Sequence, residues 1–391
     1  MRWPGVIASL LAAAALAEAA CAQEPPPRGP AAHDAPAPTQ RAAVRVVAVA
    51  EGFEHPWALA FLPDGFDPKW RMLVTERPGR MRYVAGDGAL SAPLKGLPAV
   101  KTGGQAGLFD LALAPDFAQS RRIYFSYLAE APGGAAVTVA TATLGADALS
   151  GVRVIFQAKP VIPGTTNLGS RIVFARSGNL FVTVGDRFNR AGDAQKLESD
   201  LGKVLRLKPD GSIPADNPFM ARAGARSEIW SYGHRNPQAA AIHPQTGELW
   251  TVEHGPRGGD EVNVTRAGRN YGWPAITYGV DYSGRRVSDK AAAPSMEQPL
   301  YYWDPSPAPS GMAFYTGDKI PAWRGDLFVG ALAGQALIRL RLQDGKVVGE
   351  ERLLHESLGE RIRDVRQGPD GYLYLVTDEA EGRILRVVPA R

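Results

Sequence analysis

The stretch 253–263 combines residue types that could bind a metal cation. It contains three glycines, a proline and the adjacent acidic residues Asp260 and Glu261, and the segment 270–274 closes it with the aromatic residues Tyr271 and Trp273. Clustered glycines indicate unusual backbone conformations or a close approach to another group. Backbone carbonyls freed from regular structure, beside carboxylates, supply the oxygen ligands that calcium prefers. The residues alone leave open a tight loop between strands that binds no ligand.

Three arginines could bind a small polyanion. Arg235 begins the run Arg-Asn-Pro-Gln at the end of a predicted strand, while Arg361 and Arg363 are alternate residues that point to one face of a strand. Guanidinium groups bind carboxylates through paired hydrogen bonds. Gln105, in the glycine-rich run 103–107, adds a side-chain amide. For any single arginine, a salt bridge between structural elements remains the alternative.

Motifs that the chain lacks exclude several catalytic classes. No Walker loop, HExxH motif, GxSxG turn or GxGxxG loop stands in a strand–turn–helix context. The net charge is +4, and lysine and arginine are scattered rather than clustered, which predicts no nucleic-acid partner. This charge distribution favours a small anionic ligand over a polymer.

A repeated β unit predicts the elements that carry these residues. Each unit has an apolar strand, a glycine- or proline-containing turn and a second β-rich strand, and the units span 59–84, 111–128, 172–184, 240–252, 312–340 and 365–376. Apolar and polar residues alternate in the strands. Six such units over 44–391 predict an all-β, six-bladed β-propeller with a site at the mouth of its central channel. A pair of two-sheet sandwiches is the alternative.

The N-terminal 22 residues have the pattern of a secretory signal. Arg2 precedes an apolar run, 6–17, that is too short to span a bilayer, and small residues precede a cleavage site after Ala22. The pattern predicts a periplasmic protein. Lipid anchoring at Cys21 is the weaker alternative because Glu18 stands where an aliphatic residue is needed. Removal of Cys21 leaves a mature chain without disulfides. Residues 23–43, rich in proline and alanine, predict an extended linker, and no membrane span is expected.

These features together resemble the soluble aldose sugar dehydrogenases that use pyrroloquinoline quinone, the glucose/sorbosone dehydrogenase family. The resemblance runs from His55 to the C-terminus. The motifs that carry it are Gly104-Gln105-Ala106-Gly107-Leu108, Ala114-Pro115-Asp116-Phe117, Ile229-Trp230-Ser231-Tyr232-Gly233, Arg235-Asn236-Pro237-Gln238, the loop 253–263, Pro307-Ala308-Pro309-Ser310-Gly311-Met312 and Arg361-Ile362-Arg363-Asp364.

The resemblance implies a reaction and a set of site residues. An aldose would lose the hydride of its anomeric carbon to the quinone and leave as a lactone, and an external electron acceptor would reoxidise the quinone. The residues implied to hold the quinone are Gln105, Arg235, Asn236, Tyr282, Arg361 and Arg363. The family also implies one Ca²⁺ against the quinone, on the carbonyls of Gly255 and Pro256, and a second at Glu261 and the backbone of Tyr271.

Two positions depart from the family pattern. Asn167 occupies the position of the catalytic base histidine, and an amide has no useful basicity near neutral pH. Asp186 matches the carboxylate that orients this histidine, and we expect it to act as a poorer base. Ala333 stands where some relatives carry a lysine that contacts the quinone. Its loss would remove one charge contact.

Three functions are therefore compared. The sequence favours a periplasmic aldose dehydrogenase whose activity is reduced by Asn167, acting as a monomer or homodimer. The second function is a non-catalytic propeller that binds the quinone or a sugar. The third is a calcium-dependent propeller lactonase, which has no use for the arginines.

Overall fold

The structure is a computed structural model that describes residues 43–390. The predicted signal peptide and all but the last residue of the predicted linker lie outside the described residues. The strands in chain order are β1 (Val44–Phe53), β2 (Pro56–Phe61), β3 (Trp70–Glu76), β4 (Arg80–Ala85), β5 (Leu108–Leu113), β6 (Arg122–Ala131), β7 (Gly134–Leu144), β8 (Leu149–Gln157), β9 (Gly169–Phe174), β10 (Leu180–Val184), β11 (Lys203–Leu207), β12 (Ile229–Tyr232), β13 (Pro237–Ile242), β14 (Leu249–Glu253), β15 (Asp260–Thr265), β16 (Tyr301–Trp303), β17 (Pro309–Phe314), β18 (Leu327–Ala331), β19 (Leu337–Gln343), β20 (Lys346–Leu353), β21 (Ile362–Gln367), β22 (Leu373–Thr377) and β23 (Gly382–Pro389).

Helical structure in the described part of the chain is limited to single turns. These are the α-helices α1 (Phe117–Ser120) and α2 (His355–Leu358) and the 3₁₀ turns Ala191–Gln195 and Pro321–Trp323. The strands form six antiparallel sheets, which are β2-β3-β4, β5 to β8, β9 to β12, β13 to β16, β17 to β20 and β21-β22-β23-β1. The predicted six-bladed propeller is confirmed, and the alternative of paired sandwiches is wrong.

The N-terminal strand closes the ring of blades. β1 pairs with β23 in antiparallel register from Val44 opposite Pro389 to Phe53 opposite Gly382. The last blade therefore takes its outer strand from the start of the folded chain. This closure joins the two ends of the domain and leaves fewer free sheet edges.

The first strands of the six blades surround the central channel. β2, β5, β9, β13, β17 and β21 contact one another in sequence around the ring, and β21 contacts β2. Residues at the starts of these strands, and residues that follow the antiparallel second strands, lie at the same mouth of the channel. Side chains that are far apart in sequence therefore converge there.

A buried charge network crosses the channel beneath this mouth. The Arg171 guanidinium lies 3.3 Å from Asp110 and 3.0 Å from Asp364, and Arg366 donates to the same two carboxylates at 2.8 and 2.7 Å. The Arg171 guanidinium also lies 4.1 Å from the Trp57 ring centroid. Two guanidinium groups and two carboxylates balance one another, so that this network forms an electrically neutral floor under the mouth.

Candidate active site

A cavity of about 270 Å³ opens at the channel mouth. Every blade contributes to its wall, because each blade brings the start of its first strand or the end of its second strand to this face. The lining residues are Trp57, Arg77, Gln105, Phe109, Leu168, Gly169, Asn236, Gln238, His254, Ala308, Leu332, Arg361, Arg363 and Asp378.

One wall of the cavity carries three guanidinium groups. Arg363 is buried and donates to Gln238 Oε1 at 3.1 Å and to Asp378, whereas Arg361 is 42% exposed and lies 3.8 Å from the Asp378 carboxylate. Arg363 Nε is buried without a hydrogen-bond partner among the described residues. Arg77, from the turn after β3, lies in the same wall. The wall thus offers hydrogen-bond donors that no other group among residues 43–390 uses.

The charges of the wall are unbalanced. Burial acts to raise the pKa of Asp378, but Arg363, Arg77 and Arg361 outweigh it and hold this pKa well below its usual range. Burial lowers the pKa of the neighbouring His254 to about 3, so this imidazole is neutral at neutral pH. Three positive groups then face one carboxylate, which leaves an excess of two positive charges in the wall of the cavity.

The predicted catalytic residues Asn167 and Asp186 are buried directly behind the lining of the cavity, beside Leu168 and Gly169 at the start of β9. Asn167 donates its side-chain amide to Asp186 Oδ1 at 2.9 Å, and its backbone N–H donates to Gln105 Oε1 at 2.8 Å. The other Asp186 oxygen accepts from the Trp273 indole at 2.8 Å. Burial raises the pKa of Asp186, although Arg235 and these hydrogen bonds lower it. Asp186 is therefore a stronger base than an exposed aspartate.

Asn236 and Gln238 fix the backbone that carries Asn167. Asn236 Oδ1 accepts hydrogen bonds from the Gly169 N–H at 3.0 Å and from Gln238 Nε2 at 3.1 Å. Asn167 itself has a φ of 50°, a left-handed conformation in which asparagine, aspartate and histidine are enriched among non-glycine residues. The local backbone is thus compatible with either an asparagine or a histidine at position 167.

The glycine-rich loop brings backbone carbonyls toward Arg235. The Arg235 guanidinium donates to the carbonyls of His254 and Gly255. A Cβ at Gly255 would lie 2.2 Å from the Gly258 carbonyl oxygen, so only glycine fits this close approach. Asp260 anchors the loop by accepting from the Gly255 N–H at 2.8 Å, and burial raises its pKa to about 7. Pro256 is buried in the same loop.

A pair of carboxylates lies behind this loop. Glu253 and Glu261 are cross-strand neighbours on β14 and β15, and Asn263 Nδ2 donates to both at 3.1 Å. Burial, followed by the charge of Glu253, raises the pKa of Glu261 well above its ordinary value. Asn263 Oδ1 is buried without a hydrogen-bond partner among the described residues. These groups offer several oxygen atoms to a cation.

His234 connects the carboxylate pair to Tyr271. Its ring lies 2.8 Å from Glu253 Oε1 and from Ser231 Oγ, and it stacks on the Tyr271 ring with centroids 4.7 Å apart. Glu261 and Tyr271, which the family resemblance assigns to one predicted calcium site, therefore belong to one cluster. In the described part of the chain, no group of three or more His, Cys, Asp or Glu side chains is arranged to hold a metal ion.

The predicted quinone-binding residues fall into two groups. Gln105, Asn236, Arg361 and Arg363 line the cavity. Arg235, Tyr282 and Ala333 lie outside its lining. Tyr282 is 60% exposed and its ring centroid lies 6.2 Å from that of the exposed Phe188. Ala333 is exposed, and its neighbour Leu332 faces the cavity instead.

Arg77, His254 and Asp378 line the cavity but were not predicted from the sequence as residues of the site. All three directly follow the second strand of a blade: β3, β14 and β22 respectively. Asp186 lies at the related position, two residues beyond β10. The signal that could have found them is a polar residue one or two positions after the second strand of a blade.

Comparison with known proteins identifies the family. The sequence model of the Glucose / Sorbosone dehydrogenase family matches residues 53–386. The chain belongs to the glucose/sorbosone dehydrogenase family. Among its relatives, aldose sugar dehydrogenase YliI from Escherichia coli (strain K12) is 47% identical over 353 residues, which cover 89% of this chain and 94% of the relative.

Solved structures of this family share the fold. The apo-form of the soluble aldose sugar dehydrogenase from Escherichia coli is similar with a TM-score of 0.85 and 45% identity, over 89% of this chain and 100% of that chain. The pyrroloquinoline quinone-bound form of aldose sugar dehydrogenase from Streptomyces coelicolor is similar with a TM-score of 0.72 and 27% identity, over 90% and 99% of the two chains.

These findings confirm the family resemblance found in the sequence. The chain is a member of a sugar dehydrogenase family, which places it among the oxidoreductases. The cofactor, the metal ions and the roles of single residues stay predictions. Among residues 43–390, no helix is long and apolar enough to cross a membrane.

Proposed function

We propose that this glucose/sorbosone dehydrogenase family member is a periplasmic aldose dehydrogenase that binds pyrroloquinoline quinone in the arginine-lined cavity. The observation that carries the proposal is the excess of two positive charges in that cavity, together with the orphaned Arg363 Nε. A buried donor without a partner costs free energy, about 1–3 kcal/mol. A tricarboxylate quinone supplies the missing acceptors and the missing negative charge.

The quinone, when bound, supplies the acceptor for a hydride from the sugar. The chain supplies orientation and charge. Arg361 and Arg363 hold carboxylates through charge-assisted hydrogen bonds, which are roughly twice as strong as neutral ones. Gln105 and Asn236 add polar amide groups to the lining, while Trp57 and Phe109 provide flat apolar surface. The neutral floor formed by Asp110, Arg171, Asp364 and Arg366 keeps the ligand at the mouth.

Asp186 takes the proton of the sugar's anomeric hydroxyl in this proposal. Its burial raises its pKa, which makes it more basic than an ordinary aspartate. The Asn167 amide cannot accept a proton at neutral pH, and its hydrogen bond to Asp186 Oδ1 orients that carboxylate. General base catalysis typically accelerates a reaction about 10²- to 10⁴-fold. Because the Asp186 carboxylate is a weaker base than a histidine, we expect the enzyme to be slow.

Two calcium ions are part of the proposal. The carbonyls of Gly255 and Pro256 would hold one ion, which would take the place of the Arg235 guanidinium at the Gly255 carbonyl. Glu261 with the backbone of Tyr271 would hold the second, beside the orphaned Asn263 Oδ1. The first ion would act as a Lewis acid toward the quinone. The second would neutralise the buried Glu253–Glu261 pair.

Export to the periplasm is part of the proposal and rests on the sequence of the first 22 residues. Cleavage after Ala22 would remove Cys21. Intact mass spectrometry of protein recovered from a periplasmic extract tests this directly. A mass that begins at Gln23 supports it, and a mass that retains Cys21, with or without lipid, contradicts it.

A non-catalytic quinone- or sugar-binding protein is the second candidate, and the observation that favours it is the amide at Asn167. Aldose-dependent dye reduction by protein reconstituted with quinone and calcium separates the two. Reduction that requires quinone, calcium and aldose supports the dehydrogenase. Quinone binding without any reduction supports the second candidate.

A further inference from the structure

Among residues 43–390, the Arg77 side chain has no hydrogen-bond partner, whereas its backbone is hydrogen-bonded on both sides. Its N–H donates to the His55 carbonyl at 2.9 Å, and its carbonyl accepts from the Leu108 N–H at 3.1 Å. In the described part of the chain, its guanidinium makes neither a hydrogen bond nor an ion pair within 4.0 Å. The backbone thus delivers a half-buried guanidinium to the cavity with its five donors unused.

The surrounding sequence makes room for this side chain. A Cβ at Gly107 would lie 2.2 Å from the Arg77 carbonyl oxygen and 2.4 Å from Arg77 Cγ. Any larger residue at position 107 would push Arg77 out of place. Glycine at this position therefore lets the backbone and side chain of Arg77 pass close to the start of β5, so that the guanidinium reaches the cavity.

The electrostatics of the wall favour a ligand at Arg77. Burial lowers the pKa of Arg77; Asp378 opposes this effect, and Arg363 and Arg361 add to it. Asp378 is already hydrogen-bonded to Arg363 and to His55, the latter at 3.1 Å. One carboxylate cannot satisfy three guanidinium groups. An additional anionic group next to Arg77 would relieve both the unmet donors and the repulsion.

We propose that Arg77 anchors a carboxylate of the ligand in this cavity, as a third guanidinium beside Arg361 and Arg363. The inference rests on the proposed function, in which that ligand is pyrroloquinoline quinone. Arg77 approaches from blade β2-β3-β4, whereas Arg361 and Arg363 belong to blade β21-β22-β23-β1. Two adjacent blades then hold the carboxylates of one planar molecule, which fixes its orientation over the channel as well as its affinity.

The test compares wild type with Arg77→Gln, Arg77→Lys and the matched control Arg153→Gln, an exposed arginine on the edge strand β8. Quinone affinity is measured by fluorescence titration at several salt concentrations. We expect Arg77→Gln to bind the quinone about tenfold or more weakly, since a charged hydrogen bond is worth that much. Arg77→Lys should keep part of the affinity, and Arg153→Gln should match wild type.

Salt dependence separates an anchoring contact from a merely structural one. Loss of a ligand-facing charge makes binding less sensitive to salt, whereas a loosened fold does not. Wild-type affinity and salt dependence in Arg77→Gln would overturn the inference. If Arg77→Gln does not fold, Arg77→Lys decides, because a displaced charge should still weaken binding there, and unchanged affinity counts against an anchoring contact.

A second probe keeps the inference apart from the proposed function. Benzene-1,3,5-tricarboxylate carries three carboxylates but no quinone, and its binding is followed by the shift in melting temperature. If wild type binds no quinone, the proposed function fails. Arg77 is still supported as an anion anchor when Arg77→Gln loses the tricarboxylate-induced shift, and it is rejected when both proteins shift equally.

Discussion

The indole Nε1 of Trp273 donates a 2.8 Å hydrogen bond to Oδ2 of Asp186, which joins the connection between β15 and β16 in one blade to the proposed base of another. Trp273 is held in turn by Gln195, whose amide donates to the Trp273 carbonyl at 2.7 Å. The hydrogen bond stabilises the ionised form of Asp186 against the burial that raises its pKa. Trp273 is therefore one of the groups that lower the pKa of Asp186, after Arg235, Asn167 and the Phe188 N–H.

Trp273→Phe should move the pH dependence of catalysis. Asp186 accepts a proton only when ionised, so kcat/KM rises with pH through its raised pKa. Loss of the indole donor raises this pKa further and shifts the acidic limb of the profile to higher pH. The profile of the variant is compared with that of Trp230→Phe, whose indole donates to the Thr265 carbonyl at 3.3 Å, away from Asp186. An unmoved acidic limb would show that Asp186 is not the group that titrates.

Asn167→His should restore a base with a pKa near neutrality. The Asp186 carboxylate that now accepts from Asn167 can orient an imidazole in the same place, and the backbone φ of 50° tolerates histidine. The proton transfer belongs to the transition state, so the gain should appear in kcat and be on the order of 10² or more. The measurement is aldose-dependent dye reduction in quinone- and calcium-loaded proteins.

The control for this substitution is Asn189→His, which adds an imidazole at an exposed residue of the loop that carries Asp186. It should leave kcat unchanged. A wild type already as fast as its active relatives, or an Asn167→His protein that binds quinone but gains nothing, contradicts the account of Asn167.

Arg361 and Arg363 should differ in what they contribute. Arg361→Ala should weaken quinone binding by about tenfold with little change in melting temperature, because Arg361 is 42% exposed and only 3.8 Å from Asp378. Arg363→Ala should also destabilise the fold, by about 3–5 kcal/mol, because it leaves the buried Asp378 without its main partner. Quinone titrations measure the affinity of both variants, and urea unfolding measures their stability. The double variant should bind the quinone more weakly than either single variant. Unchanged quinone affinity in the double variant would show that the quinone does not bind at Arg361 and Arg363.

Calcium should stabilise the protein through the Glu253–Glu261 pair. A ligand that binds only the folded state adds about 2.7 kcal/mol at a hundredfold excess over its dissociation constant. The melting temperature of wild type should therefore rise with calcium and fall with a chelator. Glu261→Gln should show a smaller response, whereas Glu248→Gln, at a partly exposed ion pair with Arg266 on the same blade, should respond like wild type. Equal changes in melting temperature in all three proteins would show that Glu261 does not bind calcium.

The six-blade architecture was predictable because each blade repeats a local pattern of two strands and a turn. The pairing of β1 with β23, which completes the last blade, was not predictable. The two strands lie more than 300 residues apart, and the sequence of β1 carries no signal of that pairing. Charge partners such as Arg171 with Asp110 and Asp364 likewise depend on how the blades are arranged around the channel.

The site was predictable where long motifs carry its residues, as for Gln105 and Asn236, which both line the cavity. Arg77 and Asp378 stand alone in sequence, and only the shared geometry of the second strands brings them to the mouth. Tyr282 lies between β15 and β16, in a connection without regular strands, where the sequence pattern does not determine the direction of a side chain.

The most direct test of the central claim is a visible-absorption titration of the purified protein with pyrroloquinoline quinone and calcium, followed by addition of an aldose without any other electron acceptor. The account predicts saturable quinone binding, followed by slow bleaching of the oxidised quinone that depends on the aldose and is lost with the Arg361→Ala/Arg363→Ala protein. Failure of the wild-type protein to bind the quinone in the presence of calcium would contradict the account.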